Sequence, residues 1–229
     1  MLVIMQFYAF LALCFIPLVA AFVVCVLVVP GLKIRYALLS CILSLAAIMP
    51  IAFVQYVVLA IPVFTAETFG SLLVTAVVFN GLIEETVKML FLALVPQKKQ
   101  TLAAFFSCCL LFGLTLGGFE SVIYLVKRIQ EIDMRQDVAA AFRLLLTRTG
   151  TAVLIHTFCA GLSGLYLWLF RHKQNNVMPF VWAALLHGIY NFFAAFSMGY
   201  RRFSVAAIAF ALLECRIWYK TARGITDER

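Results

Sequence analysis

The sequence predicts an all-α fold, a polytopic transmembrane bundle of about seven helices, and three observations carry that expectation. Of 229 residues, 65% are hydrophobic and only 12% are charged, against about 25% charged in soluble domains. Five runs, 1–32, 36–66, 100–119, 149–170 and 174–200, contain no Asp, Glu, Lys or Arg, and each reaches the roughly 20 residues a spanning helix requires. Basic residues punctuate these runs instead of gathering on one face, as charges that orient a membrane protein do. The net charge of +8 therefore predicts no nucleic-acid partner; membrane lipid is the expected surrounding.

In chain order the helices fall at about 3–29, 37–63, 69–95, 101–126, 149–170, 177–199 and 203–219. The first apolar run is too long for a removable signal peptide and lacks its basic start and small-residue cleavage site, so it reads as a retained first helix. The last helix is interrupted by Glu214 and Arg216. Segment 134–148 has the character of an amphipathic helix lying on the surface. All seven cysteines (14, 25, 41, 108, 109, 159 and 215) lie in apolar segments without a CxxC pair, and read as small buried hydrophobes. There is no clear internal repeat, so residues 1–229 form one membrane domain.

Three charges fall where the pattern excludes them. In "FNGLIEETVKMLF", from Phe79 to Phe91, Glu84, Glu85 and Lys88 lie deep in the third helix. Glu84 is 14 residues from Lys98, about 21 Å at 1.5 Å per residue. A charge at the bilayer centre costs at least about 2.5–3.5 kcal/mol, and such residues are paired or functional. Pairing of Glu84 with Lys88, four residues on, accounts for one glutamate and leaves Glu85 over.

The next three helices add further polar groups. In "FGLTLGGFESVIY", Gly113, Gly117, Glu120 and Tyr124 share one helical face, and the glycines permit a close neighbour, which points Glu120 into the bundle. In "RTGTAVLIHTFCAGLSG", His156 shares a face with Ala152, Ala160 and Ser163. In "ALLHGIYNFF", His187 and Asn191 are four apart. Each motif alone reads as packing or a hydrogen-bonded core residue, and His172 in "RHKQNN" reads as merely solvated. Together they place three carboxylates, two imidazoles and an amide at membrane depth. A carboxylate with an imidazole activates water, with or without a metal, and His187 with Asn191 suits a developing oxyanion.

The segments "EETVK", "GLTLGGFESVIY", "RTGTAVLIHTFCAGLSG" and "LLHGIYNFF", in that order on successive helices, resemble the four motifs of the PrsW-type intramembrane proteases. That family shares a superfamily with the CAAX prenyl-protein proteases and bacteriocin-processing membrane proteins. The resemblance covers residues 75–195, within motif-bearing helices at about 69–199. It implies that Glu84 and Glu85, with Lys88 as basic partner, form the first motif, that Glu120 and His156 hold the next two, and that His187 and Asn191 form the last. Two departures stand out: Ser121 replaces the usual Asn, and Leu116 with Gly117 replaces a Phe-Ala pair. The implied activity is hydrolysis of a peptide bond in a membrane-anchored protein substrate. The resemblance leaves two mechanisms open, a zinc site drawn from Glu85 (or Glu84), Glu120, His156 and His187, and a metal-free glutamate mechanism.

A proton-coupled transporter and a non-catalytic scaffold or immunity-type protein are the alternatives. No inverted repeat or matched pair of broken helices supports the transporter.

Lys33 with Arg35, Lys98 with Lys99, Arg171 with Lys173 and the tail fall on one side, which predicts a cell-membrane protein with an external N-terminus and a cytoplasmic C-terminus. Single cysteines placed in a cysteine-free background at the 97–100 and 171–173 loops should then resist an impermeant thiol reagent in intact cells, while one in segment 127–148 should react. Labelling of the 97–100 loop from outside reverses the topology.

Overall fold

The computed structural model describes residues 2–59, 61, 68–131, 138–196 and 198–227. Among these residues there are helices and no strand, as predicted. In chain order they are α1 (Leu2–Val28), α2 (Ile34–Leu59), α3 (Phe69–Leu92), α4 (Leu102–Glu131), α5 (Val138–Gly150), α6 (Ala152–Arg171), α7 (Met178–Ala194) and α8 (Met198–Asp227). The segments Ile34–Val58, Phe69–Leu92, Leu102–Lys127 and Ala139–Arg171 are long and apolar enough to cross a membrane, and Ala12–Val28 and Met178–Ala194 are shorter apolar helices.

Local sequence accounts for the connections. Gly31 adopts φ +80° between α1 and α2, a left-handed conformation that glycine reaches without penalty. Thr68 caps α3, its hydroxyl accepting from the Ser71 amide at 3.2 Å. Residues 62–67 and 132–137 fall outside the described residues, so the predicted surface helix is seen only from Val138, as α5. It ends at Gly150, and Thr151 (φ −132°, ψ −71°) breaks the chain before α6 begins. His172 does more than meet solvent: it stacks on Trp168 at 4.7 Å and its Nδ1 lies 2.8 Å from the Trp168 carbonyl. All seven cysteines are unpaired; five are buried, and Cys25 and Cys41 are partly so.

The core forms around α4 and α6. Lipid tails are as apolar as leucine, so close packing and interhelical hydrogen bonds, not the hydrophobic effect, hold such helices together. Gly113 and Gly117 meet the α6 backbone directly. A Cβ on Gly113 would sit 2.2 Å from the His156 carbonyl oxygen, and one on Gly117 would sit 2.8 Å from the Val153 Cα. On the other flank of α4, Ser40 and Ser44 of α2 donate to the carbonyls of Cys108 at 2.5 Å and Phe112 at 2.7 Å. These bonds fix α2 in register against α4. A second backbone contact joins α3 to α7, where a Cβ on Gly81 would lie 2.4 Å from the Ala184 carbonyl oxygen and one on Gly188 would lie 2.7 Å from the Val77 Cα.

The middle of α3 departs from regular winding. Thr75–Ile83 is a π-helix of nine residues, flanked by α-helical Phe69–Val74 and Glu84–Leu92. Nine residues of α-helix make about 2.5 turns, which would put Thr75 and Glu84 on opposite faces. The wider winding brings both to one cleft wall.

Gly113→Ala should therefore lower the thermal unfolding midpoint in detergent, at the overpacking cost of about 1–3 kcal/mol. Gly118→Ala, whose Cβ would meet only the Cys14 carbonyl oxygen at 3.9 Å, should leave the midpoint unchanged or raise it.

Candidate active site

Four helices bring the predicted polar residues together. α3 carries Glu84, Glu85 and Lys88 in the first turns after its π segment, α4 carries Glu120, α6 carries His156, and α7 carries His187 and Asn191. The side chains of Glu85 and Lys88 have no exposed surface, and His187 retains 1%. At this depth of burial each charge requires a partner at contact distance.

The Lys88 ammonium sits at the centre of the cluster. Its Nζ lies 2.9 Å from Glu84 Oε1, 2.8 Å from Glu85 Oε1 and 2.8 Å from His156 Nδ1. An ammonium has three donors and no acceptor, so His156 Nδ1 must accept, which leaves the ring proton on Nε2. That nitrogen lies 2.6 Å from Glu120 Oε2, the short distance of a charge-assisted bond. Glu120 is itself held from outside: Arg148 Nη2 lies 3.1 Å from Oε2, and the guanidinium covers the Tyr124 ring at 3.7 Å.

Glu85 supports the second imidazole. Its Oε1 lies 2.8 Å from His187 Nδ1, and its Oε2 accepts from Ser163 at 3.3 Å. His187 Nε2 then points towards Glu84, 4.0 Å from Oε1. The rings of His156 and His187 meet edge to face at 4.7 Å. Glu84 Oε1 and His187 Nδ1 have close ionic neighbours yet make no well-directed hydrogen bond. Electrostatic attraction, not a directed bond, holds these two contacts.

A cleft of about 390 Å³ reaches this cluster. α2 contributes Gln55, α3 contributes Thr75, Asn80 and Glu84, α4 contributes Glu120 and Lys127, and α7 contributes His187 and Asn191. Glu85, Lys88 and His156 do not line it and stand behind Glu84, His187 and Glu120. The structure thus divides the two adjacent glutamates, one facing the cleft and the other wholly enclosed. A narrower cleft of about 90 Å³ beside it, between α2 and α4, also reaches Glu84 and Glu120 past Leu116.

For a metal, the donors that converge are Glu84, His156 and His187, whose ligand atoms lie within 4.8 Å of one another. A carboxylate with two imidazoles suits zinc. Of the acids expected from the sequence, Glu84 is in this group, whereas Glu85 and Glu120 lie against the two histidines, at 2.8 Å and 2.6 Å. Carboxylates placed behind ligating imidazoles are the usual outer support of a zinc site. The donors therefore fit in kind, and a metal would compete with Lys88 for Glu84 Oε1 and His156 Nδ1.

The sequence reading passes over Arg148, which stands among topology-determining charges, and over the π segment that aims Asn80 and Thr75. The one sequence signal for Arg148 is its place at the edge of the charge-free run 149–170.

A buried polar site with paired carboxylates and imidazoles in a helical membrane bundle has the groups that activate water. The model of the PrsW family intramembrane metalloprotease matches residues 33–214, and the chain belongs to that family of intramembrane proteases. Comparison with curated proteins and with solved structures gives no match in either.

Lys88→Met would leave Glu84 and Glu85 facing each other without a cation, at a cost of about 3–5 kcal/mol for a broken buried pair. Its unfolding midpoint should fall sharply. Adding Glu85→Gln should restore part of the loss, and no recovery in the double variant would mean that Lys88 acts by packing alone.

Proposed function

We propose that the protein is an endopeptidase that hydrolyses a peptide bond of a membrane-anchored protein, with Glu84 as the base. One observation carries this reading: of the adjacent glutamates, only Glu84 shares the cleft with His187 and Asn191. Glu84 takes a proton from water as the oxygen attacks the scissile carbonyl. The C–N bond then breaks and the proton passes from Glu84 to the leaving amine. His187 and Asn191 stand where the carbonyl oxygen becomes charged, the position from which hydrogen-bond donors stabilise a tetrahedral intermediate.

Glu85 is a positioning residue. Its carboxylate, 2.8 Å from His187 Nδ1, fixes the orientation of the ring, as the carboxylate of a catalytic triad does. Glu120 and His156 hold the far wall and Lys88. When zinc is bound, Glu84, His156 and His187 would hold it, and it would supply acidification of water and polarisation of the carbonyl. The two modes differ in the state of His187: a metal ligand uses its Nε2 lone pair, whereas an oxyanion donor needs a proton there.

Assayed on a membrane-anchored reporter in proteoliposomes, Glu84→Gln should lower turnover by at least about 10²-fold while the unfolding midpoint stays near wild type. Full activity in both Glu84→Gln and Glu85→Gln sinks the catalytic reading. A membrane-permeant chelator such as phenanthroline separates the modes. The metal mode predicts loss that zinc restores, and the metal-free mode predicts indifference.

A further inference from the structure

A further cavity lies away from the site. A groove of about 610 Å³ runs between α4, α6 and α8 and meets the end of α1 at Val29. Its volume falls within the range of about 300–1,000 Å³ typical of small-molecule sites. Phe106, Leu110, Phe158 and Leu212 form apolar walls. Towards the chain end the lining changes: Arg216, Lys220 and Arg223 all face the groove, at i, i+4 and i+7 on one face of α8. Tyr219 joins them, its ring 5.1 Å from that of Phe106, with the apolar body and polar tip suited to a membrane interface. Much of this region, Val29 and everything past residue 214, lies outside the stretch that the family model matches.

We infer that this groove is a binding site for an anionic phospholipid, one acyl chain lying along Phe106, Leu110 and Phe158 and the phosphate against Arg216, Lys220 and Arg223. Any lipid tail wets an apolar membrane surface, so the walls alone select nothing. Three cations lining one end of the same concavity do select. Basic pockets between helices at a membrane face hold anionic head groups, with each Lys or Arg contributing a factor of about five in affinity.

The test is native mass spectrometry of the full-length protein in detergent, titrated with phosphatidylglycerol and phosphatidylcholine of identical acyl chains. Wild type should retain phosphatidylglycerol in preference by on the order of 10²-fold. The triple variant Arg216→Gln, Lys220→Gln, Arg223→Gln should lose that preference with an unchanged unfolding midpoint, since all three side chains are exposed. Lys98→Gln with Lys99→Gln, exposed cations in the α3–α4 loop, should keep it. Equal retention of the two lipids by wild type overturns the inference. So does equal loss in the Lys98 and Lys99 variant, which would mean undirected attraction, or a lipid-insensitive dimer, which would mean that a second copy covers the groove.

Discussion

The contact between the Lys88 ammonium and its three neighbours governs everything around it. Two adjacent carboxylates with almost no exposed surface require a cation at contact distance inside a membrane. With it, Glu84, Glu85 and His156 are drawn to one point from two helices, at 2.8–2.9 Å. The consequence propagates outward. Because His156 accepts from Lys88 through one nitrogen, the other must donate, and Glu120 is the acceptor placed there. Glu120 then requires a charge of its own, which Arg148 supplies from α5. A hydrogen-bonded chain of alternating donors and acceptors thus runs from the enclosed face of α3 to the bundle's polar edge.

The two departures from the family's motif pattern fall in different places within this arrangement. Ser121 turns its hydroxyl back to the Gly117 carbonyl at 2.8 Å, a local closure that leaves the site untouched. Gly117 is what allows α6 to come close enough for His156 to reach Glu120. Leu116 is different, because it forms a wall of the narrow cleft that touches both Glu84 and Glu120. A leucine at the usual phenylalanine position shapes access there, not the reacting groups.

Much of this was legible in the residues. Runs without charge gave the helices, since apolar length is the main requirement of a spanning segment. The stripe of Gly113, Gly117 and Glu120 signalled a close helix neighbour on that face, because α4 winds regularly, but not that the neighbour is α6. The division of labour between Glu84 and Glu85 was not legible. Reading faces from sequence assumes a fixed angle per residue, and the π segment just before Glu84 breaks that assumption. Both windings satisfy their backbone hydrogen bonds internally, so composition carries no mark of the difference. Arg148 was hidden for another reason: its role depends on the break at Thr151, which returns α5 towards α4, and a cation near a membrane face ordinarily reads as a topology signal.

The direct backbone contacts of α4 with α6 and of α3 with α7 also determine how the protein answers mechanical load. Where glycine lets two helices touch, no deformable side chain lies between them, so the span from Glu120 to His156 is a stiff link. Among the described residues, the opposite wall, where α2 faces the π segment across the cleft, has no glycine contact of this kind. A load on the bundle would therefore be taken up at that wall before the glycine contacts yield, and the spacing of the groups behind the opening would be the last to change.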